Sequence, residues 1–244
     1  TPSRVLTCLP SVRASTNVFD STPVIMNKFS AALLSVIVNV YALTCPAVLA
    51  ASAPPVILVI GDSLSGAYGI NIDEGWVALL QEQITTSGHD YKVINASVSG
   101  DTTRTGLGRV DTALQTHQPA IVIVALGGND GLRGLAFSEI ESSLASIIEH
   151  SEQNSAQVLL AGVRLPPNYG PVYNQEFAAL YRRLSDRYGI PLVPRMLDQV
   201  ADHRELLQED GIHPTAEAQP RVMQNVWAGL EPLLQEPVKP GESP

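Results

Sequence analysis

The sequence predicts an α/β protein built on a parallel sheet. Two observations carry that expectation. Five short apolar runs of the kind that form buried strands alternate with stretches of helical period, and a polar, glycine-bearing cluster follows each of the first three runs. The strand-like runs are Val56–Ile60, Tyr91–Ala96, Ala120–Leu126, Gln157–Val163 and Ile190–Val193. Strand–helix alternation repeated in this way places helices on both faces of the sheet.

The helical stretches follow from their periodicity. Trp76, Leu79, Leu80 and Ile84 share one face of the first, and Leu107, Val110 and Leu114 share one face of the second. Ser138 and Glu141 read as a capping box opening a third, with Ile140, Leu144, Ile147 and Ile148 inward. Phe177, Leu180, Tyr181 and Leu184 mark a fourth, which Gly189 ends as a left-handed cap. A last helix is expected from about Thr215 to Leu234, where Pro220 is tolerable only in the first turns.

The amino end has a different character. Met26-Asn27-Lys28 gives a basic start, Phe29 to Leu43 is mostly apolar, and Ala47 to Ala53 is a small-residue exit. This is the composition of a secretory signal peptide over 26–50, with cleavage after Ala50. The apolar core is short for a bilayer span and is interrupted by Ser35 and Asn39. A disordered upstream segment is expected over 1–25, one folded domain over 51–235 and a flexible tail over 236–244. A periplasmic or secreted location and a mature form without a stable membrane anchor are expected as well. Cys8 and Cys45, the two cysteines of the chain, both fall in the leader, which leaves the mature domain without a thiol or disulfide.

Charge narrows the partners. The chain carries 15 Lys+Arg against 24 Asp+Glu, a formal net charge of −9. The leader holds Arg4, Arg13 and Lys28 against Asp20, so the remainder is more acidic still. Such a surface repels a polyphosphate backbone, and nucleic acid is excluded as a partner.

The chemistry is concentrated at the carboxyl ends of the strands, where open α/β sheets bind ligands. The first run ends in Gly61-Asp62-Ser63-Leu64, the second in Ser97-Val98-Ser99-Gly100-Asp101-Thr102, the third in Gly127-Gly128-Asn129-Asp130-Gly131. In a parallel sheet these ends share one edge and converge. Taken alone, Asp62 and Ser63 are ordinary turn formers. As a nucleophile, Ser63 would sit at the amino end of the following helical segment, where N–H groups favour negative charge. Among five histidines, His213 alone lies in a loop with a carboxylate three residues earlier, Asp210-Gly211-Ile212-His213-Pro214. Asp210 can then hold one ring nitrogen while the other takes the serine proton. The histidines and carboxylates lack ligand spacing, and neither a metal nor another cofactor is expected.

These blocks, Gly61 to Leu64, Gly100, Gly127 to Asp130 and Asp210 to Pro214, resemble in order and spacing the motifs of the GDSL, or Ser-Gly-Asn-His, hydrolase superfamily. The resemblance runs from about Val56 to Leu234. It is nearest to the thioesterase I/protease I/lysophospholipase L1 and arylesterase group through Val93 to Ser97, Gly131 to Gly134 and Arg164 to Gly170. It implies a three-layer, flavodoxin-like fold with a five-stranded parallel sheet. It implies Ser63 as nucleophile, His213 as base and Asp210 as its orienter, with an oxyanion hole from the Ser63 and Gly100 N–H groups and the Asn129 amide. Ser97, Leu132, Arg133, Arg164, Pro166 and Tyr169 would line the acyl site, and Asp62 and Asp130 would order the loops. No Gly-x-Ser-x-Gly elbow is present, which argues against the α/β-hydrolase fold.

The expected activity is therefore that of a monomeric serine hydrolase acting on fatty-acyl or aryl esters and thioesters through an acyl-enzyme. A carbohydrate or peptidoglycan O-acetyl esterase is the alternative enzyme. A lipid- or glycan-binding module is the alternative without catalysis, and has no need of Ser63, Asn129, Asp210 and His213 together.

Overall fold

The computed structural model describes residues 53–234. The expected leader over 1–50 with its two cysteines, and the tail over 236–244, lie outside the described residues. Five strands form one sheet: β1 (Val56–Gly61), β2 (Lys92–Asn95), β3 (Ile121–Ala125), β4 (Gln157–Ala161) and β5 (Leu192–Val193). Their spatial order is β2-β1-β3-β4-β5, and every pairing is parallel. The register sets Val59 beside both Asn95 and Ile123, so the ends of β1, β2 and β3 come level.

The two central strands explain their own sequence. Ile57 to Ile60 and Ile121 to Val124 are fully buried, as strands covered on both faces require. The edge strand β2 carries an exposed Lys92 and half-buried Val93 and Ile94. Six α-helices are described: α1 (Trp76–Thr86), α2 (Thr103–His117), α3 (Gly128–Leu132), α4 (Phe137–Gln153), α5 (Pro171–Tyr188) and α6 (Gln219–Leu230). Helix α1 packs on α6, while α2 packs on α4 and α4 on α5, which gives the three-layer α/β/α architecture. Among the described residues no helix is long and apolar enough to cross a membrane.

Most helix faces are as the periodicity indicates. Val110 and Leu114 are buried on α2, Ile140, Leu144, Ile147 and Ile148 on α4, and Phe177, Leu180, Tyr181 and Leu184 on α5. Gly189 ends α5 at φ 65°, ψ 27°, and Pro220 falls in the first turn of α6. One start differs. Helix α4 begins at Phe137 with Ala136 as N-cap and no side-chain cap, so Ser138 lies inside the helix. Glu141 is engaged elsewhere, by Arg183 at 2.8 Å and Arg187 at 2.9 Å across the α4–α5 contact. The real capping box in this layer is at α2, where Thr102 and Thr105 satisfy each other's backbone and side chain.

Candidate active site

The turn after β1 is shaped by Asp62. Its carbonyl accepts from the N–H groups of Ser65 at 3.2 Å and Gly66 at 2.9 Å. Its carboxylate Oδ1 accepts from the Leu64 N–H at 3.0 Å, an Asx-type turn. The Tyr68 N–H then donates to the Ser63 carbonyl at 3.3 Å. These bonds leave Ser63 half-buried at the sheet edge. The expected helix N-terminus behind Ser63 is absent: residues 63–69 form successive turns, and α1 begins only at Trp76. The glycines at 66 and 69 and the positive φ of Ala67 keep this segment from continuing as a helix.

The loop between β5 and α6 brings the imidazole. Asp210 Oδ1 accepts from the backbone N–H groups of Ile212 at 2.9 Å and His213 at 3.0 Å, which folds the loop back on itself. The other oxygen is 2.6 Å from His213 Nδ1, and His213 Nε2 is 2.8 Å from Ser63 Oγ. Partial burial pushes the Asp210 carboxyl up, but hydrogen bonds from the His213 ring and from both backbone N–H groups outweigh it and hold the pKa at about 2. An ionised Asp210 places the ring proton on Nδ1 and leaves Nε2 as the acceptor facing the serine hydroxyl.

The third part comes from the ends of β2 and β3. Gly127 takes φ 114°, a left-handed conformation, and a Cβ there would sit 2.3 Å from the Tyr181 hydroxyl; glycine lets the chain turn straight into α3. Helix α3 carries Asn129 in its first turn. Its Nδ2 donates to the Asp101 carbonyl at 2.9 Å and to Asp62 Oδ2 at 3.3 Å. The next residue, buried Asp130, accepts from the Thr103 N–H at 2.9 Å and from its hydroxyl at 2.6 Å, tying α3 to the start of α2. Asp62 is almost wholly buried, and that burial raises its pKa to about 6 despite the Leu64 N–H and the nearby His213. Beside Ser63, Asn129 and His213 opens a cavity of about 260 Å³ whose walls include Leu132, Val163, Leu165, Pro166, Leu197 and Ile212.

Comparison with known proteins agrees with this geometry. The family model for GDSL-like lipases and acylhydrolases matches residues 59–220. The chain belongs to that family. It is 46% identical over 183 residues to the esterase TesA of Pseudomonas aeruginosa, covering 75% of this chain and 91% of that one. It is 41% identical over 184 residues to the thioesterase 1/protease 1/lysophospholipase L1 of Escherichia coli K12, covering 75% and 87%. A crystal structure of TesA superposes with a TM-score of 0.73 at 46% identity, covering 73% of this chain and 99% of that one.

Within this GDSL-like acylhydrolase the expected site residues fall into two groups. Ser63, Asn129, Asp210 and His213 come together, and Leu132, Arg164 and Pro166 line the cavity. Ser97, Arg133 and Tyr169 do not line it. The Ser97 hydroxyl lies behind the end of β1, 2.9 Å from where a Cβ on Gly61 would be. Arg133 donates to the Gly100 carbonyl at 3.2 Å, and the Tyr169 hydroxyl donates to the Leu132 carbonyl at 2.7 Å, so both brace backbone that borders the site.

Sequence reasoning missed three supporting groups. The Arg204 guanidinium donates to the carbonyls of Leu207, Gln208 and Glu209, immediately before Asp210. Arg109 pairs with Asp101 at 2.7 Å and reaches the Gly61 carbonyl at 3.3 Å, joining the β1 and β2 ends. The Tyr68 ring packs on His213 with centroids 4.4 Å apart. Arg109 acts on a carbonyl distant in sequence, Arg204 on carbonyls of its own irregular loop and Tyr68 through its ring face, and none of these leaves a periodic trace.

Proposed function

We propose that the chain hydrolyses carboxylic esters and thioesters through an acyl-enzyme on Ser63. The observation that carries this is the line Asp210 Oδ2–His213 Nδ1, Nε2–Ser63 Oγ, at 2.6 and 2.8 Å, opening on a largely apolar cavity. As Ser63 Oγ bonds to the substrate carbonyl carbon, its proton passes to His213 Nε2, and Asp210 balances the charge that appears on the ring. The charge gained by the carbonyl oxygen is assigned to the Ser63 and Gly100 N–H groups and the Asn129 amide, which would turn one hydrogen to it from the Asp101 carbonyl or the Asp62 carboxylate. Collapse breaks the ester C–O or thioester C–S bond, and Nε2 returns the proton to the leaving oxygen or sulfur. Water repeats the sequence on the acyl-enzyme.

The relatives named esterase and thioesterase/lysophospholipase support this reaction class. The aliphatic cavity wall favours a fatty-acyl or aryl acid portion over an acetylated sugar. The reading includes export directed by residues 26–50 and action as a monomer. On purified protein, Ser63→Ala is expected to abolish turnover of p-nitrophenyl esters while leaving the thermal midpoint unchanged. Retained turnover sinks the mechanism, and wild-type activity confined to acetate across a series up to palmitate sinks the lipid reading.

A further inference from the structure

Ser63 and His213 ride on different loops, so the 2.8 Å contact between them depends on how those loops are held to each other. Gln208 spans the gap. Its amide nitrogen donates to the Tyr68 carbonyl at 2.8 Å, on the nucleophile turn, and to the Pro214 carbonyl at 3.0 Å, next to His213. We propose that Gln208 is a positioning residue that sets the register of nucleophile and base. The inference rests on the roles given above to Ser63 and His213.

Both ends of this staple are fixed to the reacting groups. The Tyr68 N–H bonds to the Ser63 carbonyl, so a hold on the Tyr68 carbonyl is a hold on the turn that presents Ser63. On the other side, the Gln208 N–H donates to the His213 carbonyl at 2.8 Å, and Leu207 and Pro214 form an isolated antiparallel bridge. Arg204 fixes the Gln208 carbonyl at 2.6 Å. The side chain therefore projects from a stem that cannot shift independently of the imidazole.

The chemistry calls for an amide here. Two carbonyls on separate loops need two hydrogens from one atom, which a primary amide provides and a carboxylate, thioether or single hydroxyl does not. The approach also needs room. Gly69 takes φ 75°, and a Cβ there would lie 2.2 Å from Gln208 Oε1. A side chain at position 69 would displace the staple.

The test compares wild type, Gln208→Met, Gln208→Lys, Gly69→Ala and Ser63→Ala. It measures hydrolysis of p-nitrophenyl acetate, inactivation by diethyl p-nitrophenyl phosphate and thermal midpoint. Methionine keeps the volume and removes both donors. Its kcat is expected to fall about 10- to 100-fold, the scale of a misplacement of order 1 Å. KM should stay within about twofold. Inactivation should slow by the same factor as kcat, and the midpoint should hold. Lysine, whose ammonium can reach both carbonyls, should restore most of the loss. Gly69→Ala should reproduce it, and adding Gln208→Met to Gly69→Ala should cost nothing further. Full turnover in folded Gln208→Met, no rescue by lysine, or a loss that follows KM and the midpoint overturns the proposal. If Gln208→Met does not fold, unimpaired Gly69→Ala overturns it alone. An active Ser63→Ala, or a wild type that resists the phosphate ester, defeats the underlying reading instead and is distinguishable from these outcomes.

Discussion

Replacing Asp62 by asparagine should separate what the buried carboxylate does for stability from what it does for the site. Asp62 is 2% exposed, and burial raises its pKa from the ordinary 3.8 to about 6. The folded protein therefore binds this proton more tightly than the unfolded chain. The stabilisation is fully present below pH 3.8 and is lost as pH rises through 6. At 1.36 kcal/mol per pH unit, the span amounts to about 3 kcal/mol. For a domain of this size that is about 6–12 °C in thermal midpoint. Asparagine stays neutral, so the midpoint of Asp62→Asn minus that of wild type should climb by this amount between pH 4 and pH 7. The same variant should be slower at every pH. Its Oδ1 can still accept from the Leu64 N–H, but its NH₂ would face the Asn129 amide and push that donor out of place. Calorimetric midpoints at half-unit pH steps, paired with kcat on a short ester, provide the measurement. A midpoint difference that stays flat from pH 4 to 7 refutes the charge-burial argument, and unchanged kcat refutes the orienting one.

Two further outcomes are expected. Asp210→Asn keeps an acceptor for the backbone N–H groups but reverses the partner of Nδ1. Because this side chain is 38% exposed and water can assist, we expect kcat to drop by about 10²- to 10³-fold, less than the ~10⁴ of a buried triad aspartate. Its lowered pKa stabilises the fold above pH 3.8 and loses that effect as pH falls through about 2, so the variant's acid unfolding should lack this contribution. Leu144→Ala, in the fully buried face of α4 and away from the cavity, should cost about 2–5 kcal/mol in urea unfolding and leave KM unchanged.

The strands were legible because burial on both faces writes an unbroken aliphatic run, as in Ile57 to Ile60 and Ile121 to Val124. The long helices were legible through their inward positions. The misreadings occur where a local pattern is decided by a distant partner. Ser138 and Glu141 satisfy a capping-box pattern, yet Glu141 is claimed by Arg183 and Arg187 on another helix. Helix α3 spans five residues, too few for a period to show. At the site, the residue types that do acid–base and nucleophilic chemistry stand out in sequence, and strand-end convergence brings Ser63 and Asn129 to one edge. Arg109 and Gln208 act through carbonyls far from them in sequence, Arg204 through those of its own irregular loop, and Ser97, Arg133 and Tyr169 lie outside the cavity that the resemblance has them line.

The two halves of this site are held in physically different ways. Ser63 and Asn129 follow the fully buried strands β1 and β3, so their backbone inherits the rigidity of the core. Asp210 and His213 hang between the two-residue strand β5 and helix α6, on a loop whose order comes from polar bonds at partly exposed positions. Each such bond is worth only about 0.5–1.5 kcal/mol net. Several must act together to keep His213 within hydrogen-bonding reach of Ser63. That is why Arg204 spends its guanidinium on three successive carbonyls and Gln208 spends its amide on two loops. Local opening should then begin over residues 208–213, whose side chains are all partly or fully exposed. Ser63 is placed by the core, and His213 by the loop's polar stitching.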